Sequence, residues 1–247
     1  MGSCPLCGNL AVRRLALPHT AVWECASQRC GLRYASPQLD ERSLQAAYRK
    51  LYYPDLQRAG TRPCKATRVE IRHQVFRHAI AEFGDLSGWR LLDYGCGTGS
   101  LCKAALSYGL RPVGIESDAN AYGQAIACGR YPVYQRLEDL LASEPSIRFD
   151  MIALWEVIEH LRVPWIDVAN LRRVLRTDGC LLVSTPNARC AKPDCSGRAG
   201  IAMRTQLTSI ISLEKLCASC FIRVGSRESQ SGMPILPILI MERFGGH

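Results

Sequence analysis

Arg90-Leu91-Leu92-Asp93-Tyr94-Gly95-Cys96-Gly97-Thr98-Gly99-Ser100 is the stretch whose reading decides the fold. An apolar run ends in an acid and then three alternating glycines, the pattern of a buried strand that turns sharply into a loop. Gly95, Gly97 and Gly99 can take positive φ at little steric cost, and they lack the Cβ that would hold a ligand off the main chain. Residues 100–106 have helical composition, so the loop delivers a helix whose first N–H groups lack intrahelical partners. Strand, glycine loop and helix in this order open a nucleotide-binding α/β fold. The glycines are spaced Gly-x-Gly-x-Gly, not Gly-x-Gly-x-x-Gly as for a dinucleotide, and an acid at the strand end suits a cationic ligand. A glycine-rich turn in an unrelated α/β protein is the competing reading.

Outward from this stretch, the apolar spacing of Val69, Val75, Phe76, Ile80 and Phe83 predicts a helix over residues 67–83, ahead of the first strand. Residues 112–116 read as a second strand ending in Glu116, where a carboxylate can accept both hydroxyl hydrogens of an adenosine ribose. Asp118 either takes that role instead or caps a helix over residues 119–128. A short third strand is expected at 131–134 and a fully buried fourth at 149–155, ending in Trp155. A helix is expected to begin at Glu156, which would place Glu156, Glu159 and His160 on one face. Those three either hold a divalent cation such as magnesium or serve as cap, orienting group and packed histidine. Residues 171–176 read as the end of a basic helix, Thr177-Asp178-Gly179 as a turn and 180–187 as a fifth strand. A helix over 208–218 and strands at 221–224 and 235–241 complete the expectation, with residues 188–206 in the position of a substrate loop.

Cys4-Pro-Leu-Cys7-Gly8 and Cys25-Ala-Ser-Gln-Arg-Cys30-Gly31 bracket a strand-like stretch, the arrangement of a zinc ribbon with four thiolate ligands. So short a segment has little apolar core, and the metal would supply much of its folding energy. The second pair has four residues between its cysteines, so a distorted ribbon is the competing reading. Cys190, Cys195, Cys217 and Cys220 invite a second metal site, against which the last two fall on an expected helix. The expected organisation is a ribbon at 1–36, a connecting helix (39–51) and loop (52–63) within 37–66, and one α/β domain at 67–247.

The chain has 13 cysteines but no secretory leader pattern after Met1, so reduced thiols, metal ligands and a cytoplasmic location are expected. No apolar run approaches the roughly 20 residues of a membrane-spanning helix. The net charge of +9 divides as +6 over residues 1–88, −1 over 89–187 and +4 over 188–247, leaving the excess outside the presumed cofactor core. A basic rim attracts anionic or phosphate-bearing partners, although an arginine-rich composition alone gives the same sum.

In order, Leu-Leu-Asp-Tyr-Gly-Cys-Gly-Thr-Gly, Gly-Ile-Glu, Trp-Glu-Val-Ile-Glu-His-Leu and Val-Ser-Thr-Pro-Asn resemble class I S-adenosylmethionine (SAM)-dependent methyltransferases over residues 69–224. The ribbon followed by Cys30-Gly31-Leu32-Arg33-Tyr34 is similar to a bacterial subgroup carrying a zinc ribbon ahead of this domain. The Trp-Glu-Val-Ile-Glu-His and Ser-Thr-Pro-Asn blocks also resemble polyprenyl-catechol O-methyltransferases of ubiquinone synthesis, in which these glutamates and histidine are associated with a divalent metal. The resemblance implies a Rossmann-like sheet with helices on both faces. It implies SAM contacts from Asp93, Gly95, Cys96, Gly97, Gly99, Glu116 and Trp155, with Leu137 and Glu138 at the adenine; a solvated acidic turn is the other reading of Glu138 and Asp139. It implies direct displacement at the sulfonium methyl, with Glu156 and His160 as the catalytic candidates. The expected acceptor is a small molecule methylated on oxygen or carbon. An RNA methyltransferase using ribbon and basic flanks, and a non-catalytic SAM-binding protein, are the alternatives. The stretches 203–207 and 220–221 depart from the ribbon-bearing relatives, which leaves the acceptor side least defined.

Overall fold

A computed structural model describes residues 2–16, 19–40, 42–43, 65–185, 223–224 and 238–243. Of the expected helix at 39–51 only residues 39–40 and 42–43 are described, the last two as helix, while the helix at 208–218, the loop at 52–63, the segment 188–206 and the second cysteine group lie outside the described residues. Two compact units are present: residues 1–61, 158–167 and 185–238 form one, and 62–157, 168–184 and 239–247 the other.

In the first unit β1 (Gly2–Ser3), β2 (Leu10–Ala16), β3 (Ala21–Cys25) and β4 (Arg33–Ser36) pair in sequence order, antiparallel throughout, as a small meander. Its two cysteine turns close with Gly8 and Gly31 at φ 72° and 53°. In each, the glycine N–H returns to an earlier carbonyl, Gly8 to Cys4 and Gly31 to Ser27, at 2.9 Å. Apart from cysteines and alanines, the buried apolar side chains of this meander are Val22, Leu32 and Tyr34.

The second unit follows α1 (Lys65–Phe83), β5 (Arg90–Tyr94), α2 (Ser100–Leu106), β6 (Arg111–Ile115), α3 (Ala119–Ile126), β7 (Val133–Tyr134), α4 (Leu137–Ser143), β8 (Phe149–Trp155), α5 (Pro164–Arg172) and β9 (Leu175–Thr185). Of these, α5 is divided at Asp167, its residues 164–167 falling in the first unit and 168–172 in the second. Two further strands, β10 (Arg223–Val224) and β11 (Ile238–Arg243), come after β9 in the chain. Within the sheet the order runs β11-β9-β8-β5-β6-β7, and the run β9-β8-β5-β6-β7 is parallel throughout. β5 pairs with β8 on one side and β6 on the other, the switch point at whose carboxyl ends ligands of doubly wound folds bind. Val75, Phe76 and Ala79 of α1 pack with Leu101, Ala104 and Ala105 of α2 on Leu91, Met151 and Leu182 of the sheet, all buried. Parallel strands covered in this way are apolar on both faces, which is why 149–155 shows no alternation.

Three expectations change. The strand after α5 begins at Leu175, so residues 171–176 do not complete a helix; α5 ends at Arg172. The expected turn at Thr177-Asp178-Gly179 survives as an irregularity inside β9, because the register passes from Phe149↔Leu175 to Met151↔Cys180. Four residues of β9 thus bulge opposite a single residue of β8. No α-helix starts at Glu156. That residue stands at φ 55°, left-handed for a non-glycine, and is followed by one 3-10 turn, Ile158–His160.

Candidate active site and cysteine cluster

Asp93 is the penultimate residue of β5, with only 1% of its surface exposed. Its Oδ2 accepts a hydrogen bond from Cys102 Sγ at 3.4 Å, while Oδ1 is buried without a hydrogen-bond partner among the described residues. Burial, with a lesser push from the Glu116 charge, outweighs the hydrogen bond from Cys102 and the charge of Arg72 and raises its pKa to about 7. A buried carboxyl with a vacant acceptor is costly unless something meets it, and a cation is the complement.

The loop leaves β5 with Gly95 and Cys96 both donating N–H to Ile115 O, at 2.8 and 2.9 Å. Gly97 N–H then donates to Glu116 Oε2 at 2.8 Å, and Asp118 N–H to Oε1 at 2.8 Å. The carboxylate at the end of β6 therefore holds the loop and keeps a second lone pair on each oxygen for hydroxyl donors. Burial raises the Glu116 pKa above the ordinary carboxylate value. Asp118 takes the capping role, accepting Asn120 and Ala121 N–H at 3.1 and 2.9 Å.

The three glycines have different reasons to be glycine. A Cβ on Gly95 would lie 2.5 Å from Val157 Cγ2, and one on Gly99 would overlap Tyr131 Oη, whereas a Cβ on Gly97 would meet nothing within 4 Å. Only Gly97 faces open space, so the argument that all three make room for a ligand holds for that one. Cys96 turns inward to pack with Cys102 and Ala125, offering a ligand its backbone but not its thiol.

At the end of β8, Trp155 carries the Arg72 guanidinium 5.9 Å from its ring centroid, a cation–π distance. Leu137 opens α4, and the exposed Glu138 pairs with Arg136 at 3.4 Å, the geometry of a solvated turn. Glu156 accepts from Ser184 Oγ at 2.8 Å. Glu159, buried, accepts from Thr185 Oγ1 at 3.1 Å and lies 3.9 Å from His160 Nε2. Burial lowers the His160 pKa to about 4, which keeps the imidazole neutral. The shared helical face expected for these three is not formed. Among the described residues, the group of metal-type ligands that converges is the four cysteines. Arg72, Tyr131, Val157, Ser184 and Thr185 were missed as site residues. Of these, Ser184 and Thr185 had a signal, as hydroxyls at the end of a parallel strand.

Cys4, Cys7, Cys25 and Cys30 place their Sγ atoms within 4.8 Å of one another, and all are free thiols. Cys4–Cys30 and Cys7–Cys25 are separated by 3.7 and 3.5 Å. Zinc–sulfur bonds of about 2.3 Å imply tetrahedral edges near 3.8 Å, so the cluster fits a four-coordinate zinc. Desolvation raises the Cys7 pKa, but hydrogen bonds from Asn9 above all outweigh it and bring the thiol to about 6. Beyond the cluster, Thr20 Oγ1 and Trp23 Nε1 bond the carbonyls of Pro37 and Ser36. Gln38 then exchanges two hydrogen bonds with Arg162, two residues past His160.

A family model described as a methyltransferase domain matches residues 68–220, more than half of the chain. The ubiquinone biosynthesis O-methyltransferase of Bradyrhizobium sp. (strain ORS 278) is 32% identical over 105 residues, 41% of this chain and 42% of that protein. The protein of the same name from Xylella fastidiosa (strain M23) is 36% identical over 118 residues, 45% of this chain and 48% of its own length. The match thus spans less than half the length of these curated relatives. In fold, the chain is similar to the plantazolicin methyltransferase BpumL, solved with a pentazolic desmethylPZN analogue and SAH: TM-score 0.64, 13% identity, covering 82% of this chain and 94% of that one. The PH0226 protein of Pyrococcus horikoshii OT3 aligns with TM-score 0.52 and 14% identity over 74% of this chain and 92% of that one. No helix among the described residues is long and apolar enough to cross a membrane. Glycine loop, strand-end acids, parallel sheet and family match agree: the chain belongs to the methyltransferase-domain family, with the class I SAM-dependent fold.

Proposed function

We propose that this protein transfers the methyl group of SAM to a hydroxyl of a small-molecule acceptor, and that its N-terminal cysteines hold one structural zinc. The observation that carries the reading is the glycine loop tied to Glu116 with Gly97 open, following a strand whose buried Asp93 has one oxygen without a hydrogen-bond partner among the described residues. When bound, SAM supplies an electrophilic methyl on a sulfonium cation. Asp93 balances positive charge, Glu116 accepts the ribose hydroxyls, and the loop backbone approaches the ligand at Gly97. The curated relatives' printed activity, O-methylation, favours oxygen as the acceptor atom.

His160 takes the acceptor proton as the methyl–sulfur bond breaks and the methyl–oxygen bond forms. It begins neutral and so can accept a proton, although its burial makes it a weak base, and Glu159 Oε1 lies 3.9 Å from its Nε2. With Glu156 and Glu159 each bonded to a strand hydroxyl, a base explains the arrangement better than a three-ligand cation site. Purified protein given methyl-labelled SAM and a small-metabolite extract should label a hydroxylated small molecule. Magnesium should not accelerate the transfer, and His160→Gln should slow it about 10²-fold, the low end for a general base. Label entering RNA alone, or turnover that stops on chelation and returns with magnesium, would overturn this assignment.

Asp93 makes SAM affinity pH-dependent. Its free-state pKa of about 7 exceeds the ordinary Asp value, so its contribution to stability is present at low pH and fades as pH rises toward neutrality. A bound cation favours the ionised form and reverses the preference. SAM affinity should therefore be level above pH 7 and fall below it, by about tenfold per unit while one proton is displaced. Asp93→Asn should flatten that profile in calorimetry and raise the Tm of the ligand-free protein at pH 8; an unchanged slope would refute the linkage.

A further inference from the structure

The glycine loop is held at three places, two of them at the end of β6 and the third at Tyr131, just ahead of β7. Its start is fixed by Ile115 O and its middle by Glu116. At its end, Tyr131 Oη donates to Gly99 O at 3.1 Å, and Gly99 itself is left-handed, at φ 77°. Gly99 is also the N-cap of α2 and has no side-chain cap of its own. The Gly99 carbonyl receives the helical N–H of Lys103 at 2.9 Å on its other lone pair. Tyr131 thus does two things: its hydroxyl fixes the plane of the Gly99–Ser100 peptide, and its bulk fills the volume a Cβ at position 99 would take.

We propose that Tyr131 is a positioning residue for the cofactor loop, latching Gly99 so that Gly97 is presented to SAM in a single conformation. Val157 packs on the opposite end at Gly95, and the loop is stretched between two side chains with its open residue in the middle. The Tyr131 ring lies among Cys96, Cys102 and Ala125, and that burial raises its phenol pKa, so the hydroxyl remains a donor throughout the physiological range. Pre-ordering the loop removes an entropic cost that SAM would otherwise meet on binding. The inference rests on the loop being the SAM cradle.

Calorimetry with SAH as the probe tests it in the full-length chain. Tyr131→Phe should weaken SAH binding about 3–10-fold, the effect of one hydrogen bond. Tm should stay within the change seen for Tyr122→Phe, a partly buried tyrosine of α3 used as control. A purely structural role would move Tm and leave affinity alone. Gly99→Ala should abolish measurable binding, and Gly99→Ala with Tyr131→Ala should recover part of it, because the steric conflict is gone although the left-handed backbone still disfavours alanine. Tyr131→Phe binding as tightly as wild type, or losses that merely add in the double variant, would overturn the latch. A wild-type chain that does not bind SAH overturns the cradle reading, and the latch with it.

Discussion

Cys7→Ser should yield a protein without stoichiometric zinc whose residues 1–36 exchange their amide hydrogens freely, while wild type retains one zinc per chain. Cys7 is the exposed member of the cluster, so the substitution removes a ligand with almost no loss of packing. Disorder that followed would therefore report the metal. The expected effect is large because structural zinc in finger-like modules contributes about 10–16 kcal/mol, and this meander has little to replace it. Three of its four cysteines are themselves buried, so the ligand set and the core are largely the same atoms. Emptied, the site confines four thiols within 4.8 Å of one another, two pairs of them at 3.5 and 3.7 Å. SAH affinity should change little, because the glycine loop belongs to the other compact unit. Full zinc content in the variant would refute the assignment.

Glu116→Ala should weaken SAH binding about 10³-fold, in keeping with roughly 1.5–3 kcal/mol for each charge-assisted hydrogen bond lost. Two losses combine. The ribose hydroxyls lose their acceptor, and the N–H groups of Gly97 and Asp118 lose theirs, so the loop is loosened where it meets the ligand. Glu116→Gln keeps one carbonyl oxygen and should retain one of the two backbone bonds, placing its affinity between wild type and alanine. The order wild type, glutamine, alanine is what distinguishes a carboxylate that both braces and binds from one that merely packs. Alanine within threefold of wild type in calorimetry would exclude Glu116 as a ligand.

Sequence alone was enough for whatever depends on neighbours a few residues away. The strand–glycine–helix opening, the acid that ends β6, the Asp118 cap and the pairing of two cysteine turns each follow from local backbone rules, and each is found where the residue types demanded it. The long apolar run of β8 likewise announced a strand buried on both faces. Tertiary structure decided the rest, through contacts between residues far apart in the chain. Beyond the positive φ that all three loop glycines share, Gly95 and Gly99 are closed to a Cβ by Val157 and Tyr131, some 60 and 30 positions away, which no spacing within the loop reveals. The apparent helical face of Glu156, Glu159 and His160 gave way because Ser184 and Thr185, from the neighbouring strand, capture the two carboxylates, and the chain leaves β8 through a left-handed residue. Likewise the turn at 177–179 became a bulge inside a strand, since β8 offered continuous pairing on both sides of it. Periodicity counts residues along one element, whereas hydrogen-bond demand is met by whichever partner the fold brings within 3 Å, and at this site the partners come from other strands.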